Sequence, residues 1–114
     1  MAVLEVQSLP DLPSAAAAAI HLDYLPRAAA LLEAGAQCLT LQFPAGDYTQ
    51  RGWRLAAVQA LAREHAPARV NAITGGDAAA QAAALAYLIA ADGVTGQYLQ
   101  LDDAGAGPVI SSPA

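Results

Sequence analysis

The chain alternates short apolar runs with stretches of helical period. "AVLEVQSL", residues 2–9, alternates in part and is rich in β-branched and large apolar residues, so it predicts a strand. "PDLP" breaks it, and Ser14 is placed to cap a short alanine helix, "AAAAAI". A second helical stretch runs from about Leu22 to Glu33, with Pro26 as its start or kink and Gly35 as its end. "CLTLQF" predicts a second strand, stopped by "PAGD". Asp47 or Thr49 then caps a helix over "TQRGWRLAAVQALAREHA". Its buried stripe is expected at Leu55, Val58, Leu61 and Ala62, with Arg51, Arg54 and Arg63 on the wetter side and Pro67 beyond the end. "RVNAI" predicts a third strand, and "TGGD" turns the chain into a helix capped by Asp77 and running to about Ala91. "GVTGQYLQLD" holds the last strand.

The order is strand, helix, strand, helix, strand, helix, strand, with short connections. It predicts an α/β fold: a four-stranded, mostly parallel sheet with helices on both faces, joined by right-handed crossovers. The middle strands lack strict alternation, as expected where both faces are covered. One domain over residues 1–105 is expected. Residues 106–114, rich in Gly, Ser and Pro, are expected to form a flexible tail.

Composition changes this picture in one respect. Hydrophobic residues make up 56% and charged residues only 13% of 114 residues, and alanine is about a quarter of the chain. A small domain has much surface and needs polar groups to cover it, while alanine buries little area. A domain of this kind gains stability by covering surface with a partner. The helix from Asp77 to Ala91 makes the point locally. Between its terminal acids the polar side chains are Gln81 and the Tyr87 hydroxyl. A helix apolar nearly all round is buried nearly all round, and its own sheet covers only one side.

Charge and cysteine usage exclude several functions. The net charge is −5, there is no lysine, and the five arginines form no basic run, which argues against nucleic acid. Cys38 is the lone cysteine, so no internal disulfide or CxxC site is possible, and it reads as a small buried apolar residue. His21 and His65 show no ligand spacing, so no metal is expected. The start of the chain lacks a basic segment of the secretory kind, and no apolar stretch reaches the roughly 20 residues of a spanning helix. No membrane association and a cytoplasmic location are expected.

At this stage the residues carry a family resemblance. "QALAREHAPARVNAITGG" resembles the helix, strand and turn of the short-chain dehydrogenase/reductase family, and "ALAYLIAADGVTGQYLQLDDAG" its closing helix and strand. "YLPRAAALLEAGAQCLTL" is similar to the helix entering that family's fifth strand. Order and spacing agree from Leu25 to Gly105. The resemblance implies the C-terminal half of a Rossmann-like, doubly wound fold. It finds no counterpart of the glycine-rich phosphate turn or of the catalytic serine loop. The family's tyrosine position falls on Asp47 and its lysine position on Arg51, with Tyr48 one residue off register. The proline of the family's Pro-Gly turn falls on Gly75. An ionised aspartate cannot act as the phenol does in donating a proton.

Two readings follow. The first is a truncated, non-catalytic relative without cofactor, acting as an oligomerising structural or accessory subunit. It would be a dimer or tetramer, or bound to a protein partner. Its contact surface is expected at Trp53, Leu85, Leu88, Ile89 and Tyr98. The resemblance points the same way, since the closing helix and strand form one subunit contact in that family and the two preceding helices another. The alternative is a residual small-molecule or NAD(P) site, with Tyr48 and Arg51 as an acid pair and Asn71, Gly75 and Gly76 near the cofactor. The "TGGD" turn has the shape of an anion site, but the Asp77 carboxylate already occupies the positive end of the helix there. Asp102 and Asp103 would point to opposite faces if the strand persists that far.

Overall fold

A computed structural model describes residues 1–102. The expected tail over 106–114 and the second acid of the Asp102–Asp103 pair lie outside the described residues. Four strands form one sheet in the order β1 (Ala2–Glu5), β2 (Cys38–Phe43), β3 (Arg69–Gly75), β4 (Tyr98–Leu101). All neighbours run parallel, with Leu39 beside Ala2 and Val70, and Ile73 beside Leu99. The sheet is therefore wholly parallel.

Between β1 and β2 the chain stays helical from Pro13 to Glu33. Helix α1 (Pro13–Ala19) passes through one π-helical segment, Ile20–Tyr24, into α2 (Leu25–Glu33). The predicted break into two helices is absent. Pro26 sits in the first turn of α2, where its missing N–H is tolerated. Ser14 does not cap. Leu12 holds the cap position with no side-chain bond, and Pro13 begins the helix. Gly35, at φ +115°, ends α2 as expected.

A 3₁₀ turn, Tyr48–Gln50, leads into α3 (Arg51–Glu64). Asp47 caps it by accepting from the Thr49 N–H at 2.9 Å. Helix α4 (Ala78–Ala90) is capped by Asp77, which accepts from the Ala80 N–H at 2.8 Å. The Asp77 cap is as expected, and of the two candidates Asp47 and Thr49 it is Asp47 that caps.

Side chains alternate across the sheet. Leu39, Leu41, Phe43, Val70 and Ala72 face α1, α2 and α3, and pack on Ile20, Ala28, Leu32, Val58 and Leu61. Ile73, Leu99 and Leu101 face the other way, onto Ala84, Leu85 and Leu88 of α4. Helices thus lie on both faces. The strands step across the sheet in one direction while α4 changes face. The β3–α4–β4 crossover therefore has the opposite hand to the two before it, against the expectation of uniform right-handedness. The physical reason is occupancy: α3 already packs over both β3 and β4 on its own face.

Helix α4 is buried along a single stripe, Ala80, Ala84 and Leu88. Its remaining faces carry exposed Ala82, Ala83, Ala86, Tyr87 and Ile89. An apolar helix is here covered on one side only.

Candidate functional site at the carboxyl edge of the sheet

The carboxyl ends of β1, β2 and β3 all open on the same edge, as a parallel sheet requires. Ligands of open α/β sheets bind outside that edge. Here the loop after β1 and the loop after β2 enclose a cavity of about 390 Å³, lined by Gln7, Ser8, Asp11, Gly46, Asp47 and Arg54 among others.

Arg54 is the unexpected member. It is 2% exposed, not on the wetter side. At helical spacing it belongs to the stripe Arg54, Ala57, Val58 and Leu61 that faces the sheet. Leu55 and Ala62 are only half-buried beside it. The guanidinium lies 4.8 Å from the centroid of Phe43 and 5.7 Å from that of Trp53. Its Nη1 donates to the Pro44 carbonyl at 2.9 Å, to Thr74 Oγ1 at 3.2 Å and to the Tyr98 hydroxyl at 3.2 Å. Arg54 thus ties the ends of β2 and β3 to β4. Its Nε is buried without an acceptor among the described residues. The sequence signal for this is the spacing: a charged residue at i, i+3, i+4, i+7 with three apolar ones shares their face.

The other predicted site residues are dispersed. Tyr48 is 87% exposed. Arg51 is exposed and lies 5.9 Å from the Tyr98 ring centroid. Neither lines the Arg54 cavity. Asn71 is fully buried on the α4 face, where its Nδ2 donates to the Val94 carbonyl and its Oδ1 accepts from the Gln97 N–H, both at 3.0 Å. It holds the loop into β4 and is separated by the sheet from α3. Gly75 and Gly76 take φ of +71° and +76°. A Cβ on Gly76 would stand 2.8 Å from that of Leu101. Their carbonyls accept from Gln81 Nε2 at 3.2 Å each. These glycines make the tight turn from β3 into α4, with Gln81 folded onto it.

The expected contact residues also separate. Leu88 is fully buried and belongs to the core, because it sits at i+8 from Ala80 on the sheet-facing stripe. Trp53 is half-buried, edge-on to Phe43 at 6.0 Å, with its indole N–H donating to Gln50 Oε1 at 2.7 Å. Leu85 and Tyr98 are half-buried, and Ile89 is 47% exposed. Cys38 is 6% exposed, as its apolar reading requires.

The Asp47 carboxyl is more acidic than usual. Hydrogen bonds from the Thr49 hydroxyl and then its N–H hold the carboxyl below the usual carboxylate range, with a smaller contribution from Arg54. Among the described residues no cluster of three or more metal-ligating side chains forms. No helix among them is long and apolar enough to cross a membrane.

The segments that carry the family resemblance are α2 running into β2, α3 running into β3 with its glycine turn, and α4 running into β4. The family model described as "Short chain dehydrogenase-like protein" matches residues 4–101. The chain belongs to that SDR-like family. The match runs from the second half of β1 to the end of β4 and takes in every helix between them. Comparisons with curated proteins and with solved structures gave no match.

Proposed function

We propose that this SDR-like chain is a non-catalytic accessory or structural subunit that self-associates through α4 and β4. The observation that carries the reading is the groove between them. It has a volume of about 490 Å³ and is lined mainly by Ala83, Ala84, Tyr87, Leu99 and Leu101. Tyr87 and Ile89 stand exposed on the same helix, at 55% and 47%. β4 is the last strand of the sheet, so the groove opens at an edge. A two-fold contact would present the same apolar surface from both copies and cover both grooves at once. The positions that the resemblance assigns to catalysis hold Asp47 and Arg51, and Asp47 is an ionised helix cap, which supports a role without chemistry.

Light scattering on the full chain across a hundredfold range of concentration tests this. A dimer or tetramer at the upper end is expected, and a well-folded monomer throughout contradicts it. Calorimetric titration with NAD(H) and NADP(H) separates the alternative reading: saturable binding of either would favour a retained cofactor site over a purely structural subunit.

A further inference from the structure

Arg54 is a buried cation whose hydrogen bonds run to a carbonyl and two hydroxyls, with no carboxylate among its partners in the described residues. Guanidinium groups stay charged in proteins. Although Asp47 acts on Arg54 through space, no carboxylate is hydrogen-bonded to it among the described residues, which leaves its free N–H groups able to take an anionic acceptor. All three bonds leave from Nη1. The other terminal nitrogen, Nη2, is the atom nearest Gly46: a Cβ built there would come within 2.9 Å of it. Gly46 has no positive φ to explain it. The missing side chain lets the guanidinium pack directly against the Gly46 backbone, on the wall of the cavity that both residues line.

The rest of the lining narrows the class of anion. Asp11 and Asp47 line the same cavity. Two carboxylates beside the site oppose a dianion such as phosphate more than a singly charged group. They also offer acceptors to hydroxyls. Gln50 is already engaged, donating to the Asp11 carbonyl at 2.9 Å and accepting from Trp53. A volume of about 390 Å³ suits a small molecule of several heavy atoms.

We propose that this cavity binds a small organic monocarboxylate, its carboxylate on Arg54 and its hydroxyl groups toward Asp11 and Asp47. The site lies on a different part of the molecule from the α4–β4 groove and stands or falls independently of self-association.

The test uses the full chain labelled with ¹⁵N. Trp53 is the single tryptophan, and its indole N–H bonds to Gln50 on the cavity wall, so its indole cross-peak is a local reporter. Titration with glycerate is expected to shift that peak saturably. Titration with glycerol is expected to leave it in place, and inorganic phosphate to bind at least severalfold more weakly. Gly46→Ala, which puts a methyl group beside Nη2, is expected to weaken glycerate about tenfold, in keeping with loss of a charge-assisted hydrogen bond. Asp47→Asn keeps a capping side chain and is expected to tighten phosphate. Arg54→Lys serves as a second probe, retaining charge but not the planar fork, and is expected to weaken glycerate as well. Failure of any anion to saturate the signal would overturn the proposal, as would equal response to glycerol and glycerate. Unchanged glycerate affinity in folded Gly46→Ala and Arg54→Lys would overturn the role of Arg54. Phosphate binding more tightly than glycerate would overturn the monocarboxylate class.

Discussion

Arg69, at the start of β3, donates from Nη1 to the Ala91 carbonyl at 2.7 Å. The same nitrogen reaches the Leu88 carbonyl at 2.8 Å, and Nη2 reaches that of Ile89 at 3.2 Å. Helix α4 ends without a left-handed glycine, since Gly93 has no positive φ. One arginine from the strand beneath thus satisfies the carbonyls that a terminal glycine motif would otherwise serve. It also brings a positive charge to the negative end of the helix. Replacing it by an apolar chain of similar length removes both effects. Arg69→Met is expected to destabilise the fold by about 2 kcal/mol. That is a fall in Tm on the order of 10 °C for a domain of this size, measurable by circular dichroism.

Thr40 gives a change in the other direction. It is fully buried in β2, and its hydroxyl has no hydrogen-bond partner among the described residues. A buried unpaired hydroxyl is a standing penalty, and valine fits a covered strand position with the same shape. Thr40→Val is expected to stabilise by about 1 kcal/mol, and urea unfolding would read this as a higher midpoint with an unchanged slope.

Asp47 sets an acid limit on the turn into α3. Its carboxyl is lowered by the Thr49 hydroxyl and N–H. A depressed folded value means that the unfolded chain binds the proton more readily. The contribution is therefore complete above the unfolded value of about 3.9 and is lost as pH falls through the lower folded value. Asp47→Asn removes this dependence. The urea midpoint of the wild type should fall more steeply than that of the variant as pH drops from 5 to 3, and parallel curves would contradict the assignment.

Leu88 and Ile89 are neighbours in sequence with opposite surroundings, one fully buried and one 47% exposed. Leu88→Ala is expected to destabilise the fold by about 2–5 kcal/mol through a cavity under α4. Ile89→Ala should leave the monomer's stability nearly unchanged and weaken self-association. Thermal melts at low protein concentration separate the two.

Much of the fold was legible because local signals and the global pattern agreed. The caps at Asp47 and Asp77, the stop at Gly35 and the apolar runs of β2 and β3 each named an element. Where the reading failed, a side chain's usual habit outweighed its position. As an arginine, Arg54 is expected in water, although its spacing with Ala57, Val58 and Leu61 puts it inward. Pro26 suggested a break that a π-helical segment absorbs. In α4 alanine on every side hides which stripe faces the sheet, and with it the burial of Leu88. The candidate site suffered most. Tyr48, Arg51 and Asn71 are close in expectation but lie in solvent and on opposite faces of the sheet, while the cavity is built from the loops after β1 and β2, which carry little pattern.

Self-association through the α4–β4 groove is the central claim, and sedimentation equilibrium on the wild type and Tyr87→Glu tests it most directly. Tyr87 lines the groove and is 55% exposed, so a charge there burdens a contact but not the core. The account predicts a wild-type dimer or tetramer at micromolar concentration and a folded, monomeric Tyr87→Glu. A wild type that stays monomeric, or a variant that assembles as the wild type does, would contradict it.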